Sequence, residues 1–285
     1  MAYSKEHREN WRVIKITRIQ DENGLFADFL YENGCLGIHV EQDKLTAFFD
    51  IASDSALPLI IIKYLKDNNN KGCQVSDNSI KDENWHLTWK KYFAPQKISD
   101  KITVYPEWEE IDAQVKIPIK IRPGMAFGTG THETTQMALI LLEKEIEQGM
   151  KILDAGCGAG ILTIAAMKMG AKSVDSVEID SEAEPNFNEN LELNSCVGKM
   201  LVKDVCKLEN YNYELIVSNI QINPNKALLK TLNHANFRNP IIFTGILNEE
   251  REKFIKIIMD SKRIVTAELA KNEWVAFVVK PKEYY

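Results

Sequence analysis

The sequence predicts an α/β fold: an open, mostly parallel sheet flanked by helices, preceded by a smaller α+β module. Two observations carry that prediction. The apolar run Lys151-Ile152-Leu153 passes through Asp154-Ala155-Gly156-Cys157-Gly158-Ala159-Gly160 into Ile161-Leu162-Thr163-Ile164-Ala165-Ala166-Met167, whose apolar positions repeat at helical spacing. From there to the C-terminus, short apolar strands alternate with helical stretches, the pattern of a sheet whose crossovers are helices.

The 285 residues suffice for one large domain or two smaller ones, and a 45% apolar fraction supports a sizeable core. A formal charge of −6 argues against a protein that holds nucleic acid by neutralising phosphates, so no direct nucleic-acid binding is expected. Cys35, Cys73, Cys157, Cys196 and Cys206 are odd in number and lack a CxxC pair, which suggests neither a disulfide framework nor a metal site. Met1 to Glu9 is charged, and no apolar run approaches the roughly 18 residues of a membrane span. A cytoplasmic monomer is the expectation.

In chain order, Trp11 to Ile19 is rich in β-branched residues and reads as a strand. Asp21 to Asn33 carries Leu25, Phe26, Phe29 and Leu30 on one helical side and stops at Asn33-Gly34. Leu36 to Val40 and Leu45 to Phe49 predict two strands, Ser55 to Lys66 a helix, and Cys73 to Val75 a further strand. The resulting order β-α-β-β-α-β is that of a ferredoxin-like module, assigned to residues 1–80. It carries no cluster of catalytic side chains, and both packing or dimerisation and substrate recognition are open to it. Asp82 to Pro95 follows, with Trp85, Trp89, Tyr92 and Phe93 on one helical face, and predicts a connector helix within a linker at 81–100.

The second domain, 101–285, opens with extended segments at Ile102 to Tyr105 and Val115 to Ile121. The run Pro123-Gly124-Met125-Ala126-Phe127-Gly128-Thr129-Gly130-Thr131-His132-Glu133-Thr134-Thr135 is too rich in glycine and threonine for ordinary strand, and Glu133 to Glu145 turns helical. A strand Ser173 to Glu178, a helix that Pro185 either kinks or confines to starting late, a strand Met200 to Lys203, a strand Tyr213 to Asn219 and a helix from Pro224 to His234 follow. Strand Ile241 to Thr244, helix Asn248 to Asp260 and an antiparallel hairpin of Ile264 to Leu269 with Trp274 to Val279 complete a seven-stranded sheet.

A strand that turns through glycines into a helix aims backbone N–H groups and the positive helix end at whatever lies above the sheet edge. An acidic residue about 20 positions on, here Glu178, suits ribose hydroxyls. A dinucleotide site wants the glycines as GxGxxG, whereas the spacing here is GxGxG with Asp154 two positions ahead. That arrangement resembles the first motif of class I S-adenosylmethionine-dependent methyltransferases, in which the carboxylate lies near the methionine amino group. Asp204, at the end of the next strand, is positioned either to accept from the adenine amino group or simply to sit in a solvated turn. His132 and Glu133 either flank the loop as a candidate base or simply begin the helix, and Cys157 reads as a small packed residue.

The run Pro123 to Thr135 looks like the signature of the ribosomal protein L11 methyltransferase family. The resemblance continues through Glu83-Asn84-Trp85, Trp89-Lys90-Lys91-Tyr92-Phe93, Pro106-Glu107-Trp108-Glu109, Val217-Ser218-Asn219-Ile220-Gln221-Ile222-Asn223-Pro224, Thr244-Gly245-Ile246-Leu247 and Glu273-Trp274-Val275, nearly the whole chain. It implies a Rossmann-like class I methyltransferase domain, S-adenosylmethionine as methyl donor, and a large-subunit ribosomal protein as substrate, methylated on lysine or N-terminal nitrogen. By the same resemblance Phe127 and Thr135 line the donor pocket with Asp154, Gly156, Gly158 and Gly160, Glu178 takes the ribose, and Asn219 is the catalytic residue where donor meets acceptor. The chain departs from the family where Glu178 replaces the usual Asp and where Gln221-Ile222 replaces an apolar pair. The alternatives are a methyltransferase acting on another protein or a small molecule, and a non-catalytic assembly factor that binds the same nucleoside.

Overall fold

The computed structural model describes residues 10–18, 25–35, 37–41, 44–50, 53–68, 70, 72–81, 94–123 and 130–282. The chain divides into two compact units, Met1–Ala94 and Pro95–Tyr285. The predicted connector helix falls on residues 82–93, outside those described, as does the stretch 124–129 that contains Phe127.

In the first unit, β1 (Asn10–Thr17), α1 (Leu25–Glu32), β2 (Gly37–Glu41), β3 (Lys44–Asp50), α2 (Leu57–Asp67) and β4 (Gln74–Lys81) follow in order. The sheet order β2-β3-β1-β4, antiparallel throughout, is the ferredoxin-like arrangement. Ile14, Ile16, Leu45, Ala47 and Phe49 alternate toward Phe26, Leu30, Leu57, Ile61 and Leu65 on the two helices. Burial of each such side chain stabilises by about 1.5–3 kcal/mol before chain entropy is charged against it. Arg12 spans the sheet edge, donating to both carboxylate oxygens of Asp77 and to the carbonyl oxygens of Ser53 and Asp54 ahead of α2. The last strand runs well past the predicted Cys73 to Val75, because pairing with all of β1 holds the polar sequence Ser76-Asp77-Asn78-Ser79 extended.

The second unit contains β5 (Gln96–Lys97), β6 (Ile102–Pro106), β7 (Ile117–Ile121), α3 (Glu133–Glu145), β8 (Lys151–Ala155), α4 (Ile161–Lys168), β9 (Ser173–Glu178), α5 (Glu184–Leu193), β10 (Met200–Val202), β11 (Leu215–Asn219), α6 (Ile222–His234), β12 (Ile241–Leu247), α7 (Arg251–Asp260), β13 (Arg263–Lys271) and β14 (Trp274–Pro281). Seven strands form one sheet in the order β10-β9-β8-β11-β12-β14-β13. The first five are parallel, and β14 and β13 close the sheet antiparallel. Side chains alternate between two apolar layers: Ile152, Val217 and Ile242 face α3 and α4, while Leu153, Ile216 and Phe243 face α6 and α7. Both faces are covered, which is why these strands read as nearly continuous apolar runs.

Two details correct the sequence reading, and a third decides between its alternatives. The strand expected to end at Thr244 continues to Leu247, because a register shift between Phe243 and Ile246 absorbs Gly245 at φ 77°. The helix expected from Asn248 begins as a single 3-10 turn, Asn248–Glu250, before α7. Pro185 lies in the first turn of α5, where its missing N–H costs no hydrogen bond, so it starts the helix and does not kink it.

A separate three-stranded sheet, β5-β6-β7, ends on β7, whose open edge is met by asparagines spaced four apart along α5 and its C-terminal cap. Asn194 accepts from the Lys120 N–H at 2.9 Å and donates to its carbonyl, Asn190 accepts from the Arg122 N–H at 2.7 Å, and Asn186 donates to the Arg122 carbonyl. Asn190 also donates to the Ala159 carbonyl at 2.9 Å, joining this edge to the glycine turn.

Candidate active site

The strand order reverses between β8 and β11: the chain leaves β8 toward β9 and β10 on one side, and later fills β11 and β12 on the other. A crevice opens at such a point beyond the carboxyl ends of the strands. Ala155 pairs with Ser218 there, so the glycine turn after β8 and Asn219 at the end of β11 stand side by side. The two segments singled out from sequence are brought to one place by topology.

The turn is built by left-handed glycines. Gly156, Gly158 and Gly160 have φ of 77°, 48° and 84°, a region that costs other L-residues roughly 1–2 kcal/mol. A Cβ on Gly156 would lie 2.1 Å from Cγ2 of Ile220, and one on Gly160 would lie 2.8 Å from the Phe187 ring. A side chain at either position would therefore collide with the protein's own packing, which is why glycine stands there. Gly158 donates its N–H to Oε2 of Glu178 at 3.0 Å, and Oε1 of Glu178 accepts from the N–H groups of Ile179 and Asp180 at 2.8 and 3.1 Å. The longer Glu side chain thus folds back over its own strand end and grips the turn.

Asp154 is fully buried. Its Oδ2 accepts from the Thr163 hydroxyl at 2.6 Å, and Thr163 Oγ1 lies 2.7 Å from Ser176 Oγ. Thr163 spends its one proton on Asp154, so Ser176 donates to Thr163. Oδ1 of Asp154 has no partner. Burial pushes the carboxyl up to about 7, against the opposing pull of Thr163 and with a smaller push from Glu178.

Asn219 is 8% exposed. Its Nδ2 donates to Thr135 Oγ1 at 3.3 Å, and its Oδ1 lies 3.1 Å from the Thr244 hydroxyl, which is equally close to the Thr134 carbonyl. Thr134 and Thr135 open α3, and Thr244 is the cross-strand partner of Asn219. Behind them Asn225 accepts from the Ser218 hydroxyl and donates to the carbonyls of Ile220 and Thr244, pinning the strand end. Ile220 fills the notch left by two glycines, since a Cβ on Gly245 would lie 2.3 Å from the Ile220 carbonyl oxygen.

The remaining predicted residues fall as follows. Phe127 lies outside the described residues. Asp204 accepts from the Cys206 N–H at 2.9 Å and caps the turn Val205–Lys207. His132 is the cap of α3, accepting from the Thr134 N–H at 3.3 Å, with its ring edge-on to Trp274, and burial holds its pKa below the ordinary value. Cys157 is buried, and burial raises its thiol pKa, in keeping with a packed residue. Among the described residues no group of three or more His, Cys, Asp or Glu side chains could hold a metal ion, and no helix is long and apolar enough to cross a membrane. Sequence reasoning missed Thr163, Ser176, Thr244 and Asn225. Thr163 and Thr244 left only a hydroxyl among apolar neighbours, while Ser176 and Asn225 stood among other polar residues with nothing to single them out.

S-adenosylmethionine, with a cationic amino-acid end and a ribose diol, suits these residues: a buried carboxylate oxygen lacks a partner, and a second carboxylate closes the neighbouring strand. Residues 13–282 match the family model described as ribosomal protein L11 methyltransferase. A ribosomal protein L11 methyltransferase of Caldanaerobacter subterraneus is 30% identical over 95% of this chain and 99% of its own length. One from Ruminiclostridium cellulolyticum is 39% identical over 71% of this chain, a match that spans 66% of the relative. The crystal structure of a ribosomal protein L11 methylase from Lactobacillus delbrueckii superposes with a TM-score of 0.62 at 28% identity, covering 66% of this chain and 99% of that one. The strand order that reverses between β8 and β11 and the match from residue 13 to residue 282 lead to one assignment: this chain belongs to the ribosomal protein L11 methyltransferase family, Rossmann-like enzymes whose methyl donor is S-adenosylmethionine.

Proposed function

We propose that this chain methylates amino nitrogens, on lysine or the N-terminus, of ribosomal protein L11, acting as a cytoplasmic monomer that binds no nucleic acid directly. In this reading the unit ending at Ala94 grips the acceptor protein. The donor pocket is formed by Phe127, Thr135, Asp154, Gly156, Gly158, Gly160, Glu178 and Asp204, with Asn219 at the point of transfer. The observation that carries the reading is the fixed, uncharged amide of Asn219 beside the glycine turn.

The bound donor supplies an electrophilic methyl carbon on a sulfonium. The protein has to present a neutral nitrogen in line with it, about 3–3.5 Å away. A free lysine with a pKa of about 10.4 is only about 0.1% neutral near pH 7.4, a handicap of about 4 kcal/mol that desolvation must offset. A carboxylate at position 219 would favour the unreactive ammonium. An amide oxygen accepts from the amine N–H without that penalty, and Thr135 and Thr244 limit the rotation of the side chain. The amide oxygen then keeps a lone pair for the incoming nitrogen.

The test is incubation with tritiated methyl donor and unmethylated ribosomal proteins, with mass spectrometry of the labelled band. One dominant small protein gaining mass in methyl-sized steps on amino groups is expected; label confined to RNA or to glutamine would overturn the assignment. Asn219→Ala is expected to lower kcat by about 100-fold, in the range for loss of one preorganised polar group, while donor affinity stays within tenfold.

A further inference from the structure

The polar chain behind Asp154 is absorbed by neither the fold nor the proposed reaction. Ser176 on β9, Thr163 on α4 and Asp154 at the end of β8 form a file of hydrogen bonds, and all three side chains are buried. Every donor in the file points one way, from Ser176 to Thr163 to Oδ2 of Asp154. The far oxygen, Oδ1, is left without a partner. A buried acceptor of this kind costs about 1–3 kcal/mol unless something completes it.

We propose that Thr163, backed by Ser176, is a positioning residue for the methyl donor: it holds the Asp154 carboxylate with Oδ1 free for the donor's cationic amino group, and it couples donor binding to release of a proton. The proposal rests on the reading above that Asp154 faces the donor. Without the donor, a desolvated Asp154 is divided between acid and carboxylate near neutrality. An ammonium group favours the carboxylate, so the proton on the acid fraction leaves for bulk solvent as the ion pair forms. No covalent bond is made or broken.

The groups that face Asp154 among the described residues are few. From β9 come the Ser176 hydroxyl and the Glu178 carboxylate, the latter disfavouring a second negative charge. The turn contributes the Cys157 thiol, kept protonated by burial, and α4 contributes only Thr163. On β11, Val217 and Ser218 carry no titratable group, and the Ser218 hydroxyl is engaged by Asn225. Thr163 is therefore the side chain that most directly favours the charged form.

The experiment is calorimetric titration of S-adenosylmethionine into the full chain from pH 5.5 to 8.5, in buffers with different heats of ionisation. For the unmodified protein, affinity is expected to fall toward tenfold per pH unit below a break near neutrality, with net proton release around the break. Thr163→Val is expected to move the break up by about one pH unit and to weaken binding about fivefold at pH 7, the gap from the unmodified chain closing toward the alkaline end once the donor's own α-amino group, with a pKa of about 7.7–8.0, is allowed for in both profiles. Thr163→Ser restores the original profile, and circular dichroism with thermal unfolding checks that each variant is folded. An unshifted break in Thr163→Val, with Asp154→Asn still impairing binding, overturns the role of Thr163 alone. Undiminished binding by Asp154→Asn removes the underlying reading that Asp154 faces the donor.

Discussion

Asp154 and Glu178 close adjacent parallel strands of one sheet, and the protein treats the two carboxylates in opposite ways. Glu178 is partly buried and accepts three backbone N–H groups, from Gly158, Ile179 and Asp180. Asp154 is fully buried, with only the hydroxyl and backbone N–H of Thr163 favouring its charge and Oδ1 without a partner. The first carboxylate is completed by the protein and fixes the shape of the turn. The second is left incomplete, which stores unfavourable energy in the free protein that a cationic ligand can relieve. Sequence position does not separate these roles; the number of donors around each oxygen does.

Replacing each carboxylate by its isosteric amide gives the sharpest contrast. Asp154→Asn is expected to weaken donor binding most, by about 2–4 kcal/mol or 30- to 1000-fold, the range for removing one member of a buried charge pair. Equal affinity by calorimetry would erase the distinction between the two acids.

Stability against pH gives the next largest effect, measured on the free protein by thermal or urea unfolding. An aspartate whose pKa in the folded state lies near 7 binds its proton more tightly folded than unfolded. Asp154 therefore costs stability in full above about pH 7, and the cost shrinks as pH falls toward 4, at up to about 1.4 kcal/mol per pH unit. Asp154→Asn is expected to flatten that segment of the curve and to be more stable than the unmodified chain at pH 8. An unchanged slope would mean that Asp154 remains charged throughout.

The smallest of the three effects belongs to Glu178→Gln. One of the oxygens that accept backbone N–H groups becomes a donor, so a loss of about 1.5–3 kcal/mol, shared between turn stability and donor binding, is expected. A loss of donor affinity as large as that of Asp154→Asn would show that both acids serve the ligand equally.

The framework of this domain was plain in the sequence wherever apolar periodicity met a hard stop. The strand at Ser173 to Glu178 and the helix at Glu133 to Glu145 have the predicted bounds. The two-residue β5 was invisible because Gln96-Lys97 has no periodicity to read, and it exists through pairing with β6. The length of β4 was hidden by its Ser, Asp and Asn residues, which favour turns in isolation and are overruled by β1. Asp154, Glu178 and Asn219 were legible because charged or amide groups at strand ends stand out. Thr163 and Ser176 were not, since a buried hydroxyl looks like a filler until its hydrogen bonds are known.

Ile220 sits where a methyl on Gly156 would strike its side chain and a methyl on Gly245 its carbonyl oxygen. One residue therefore acts as a gauge block between the glycine turn after β8 and the bulge beside Asn219. An engineer wishing to widen the space beside Asn219 would find that the glycine turn shifts with it, so reshaping this end of the sheet calls for coordinated changes at 156, 220 and 245.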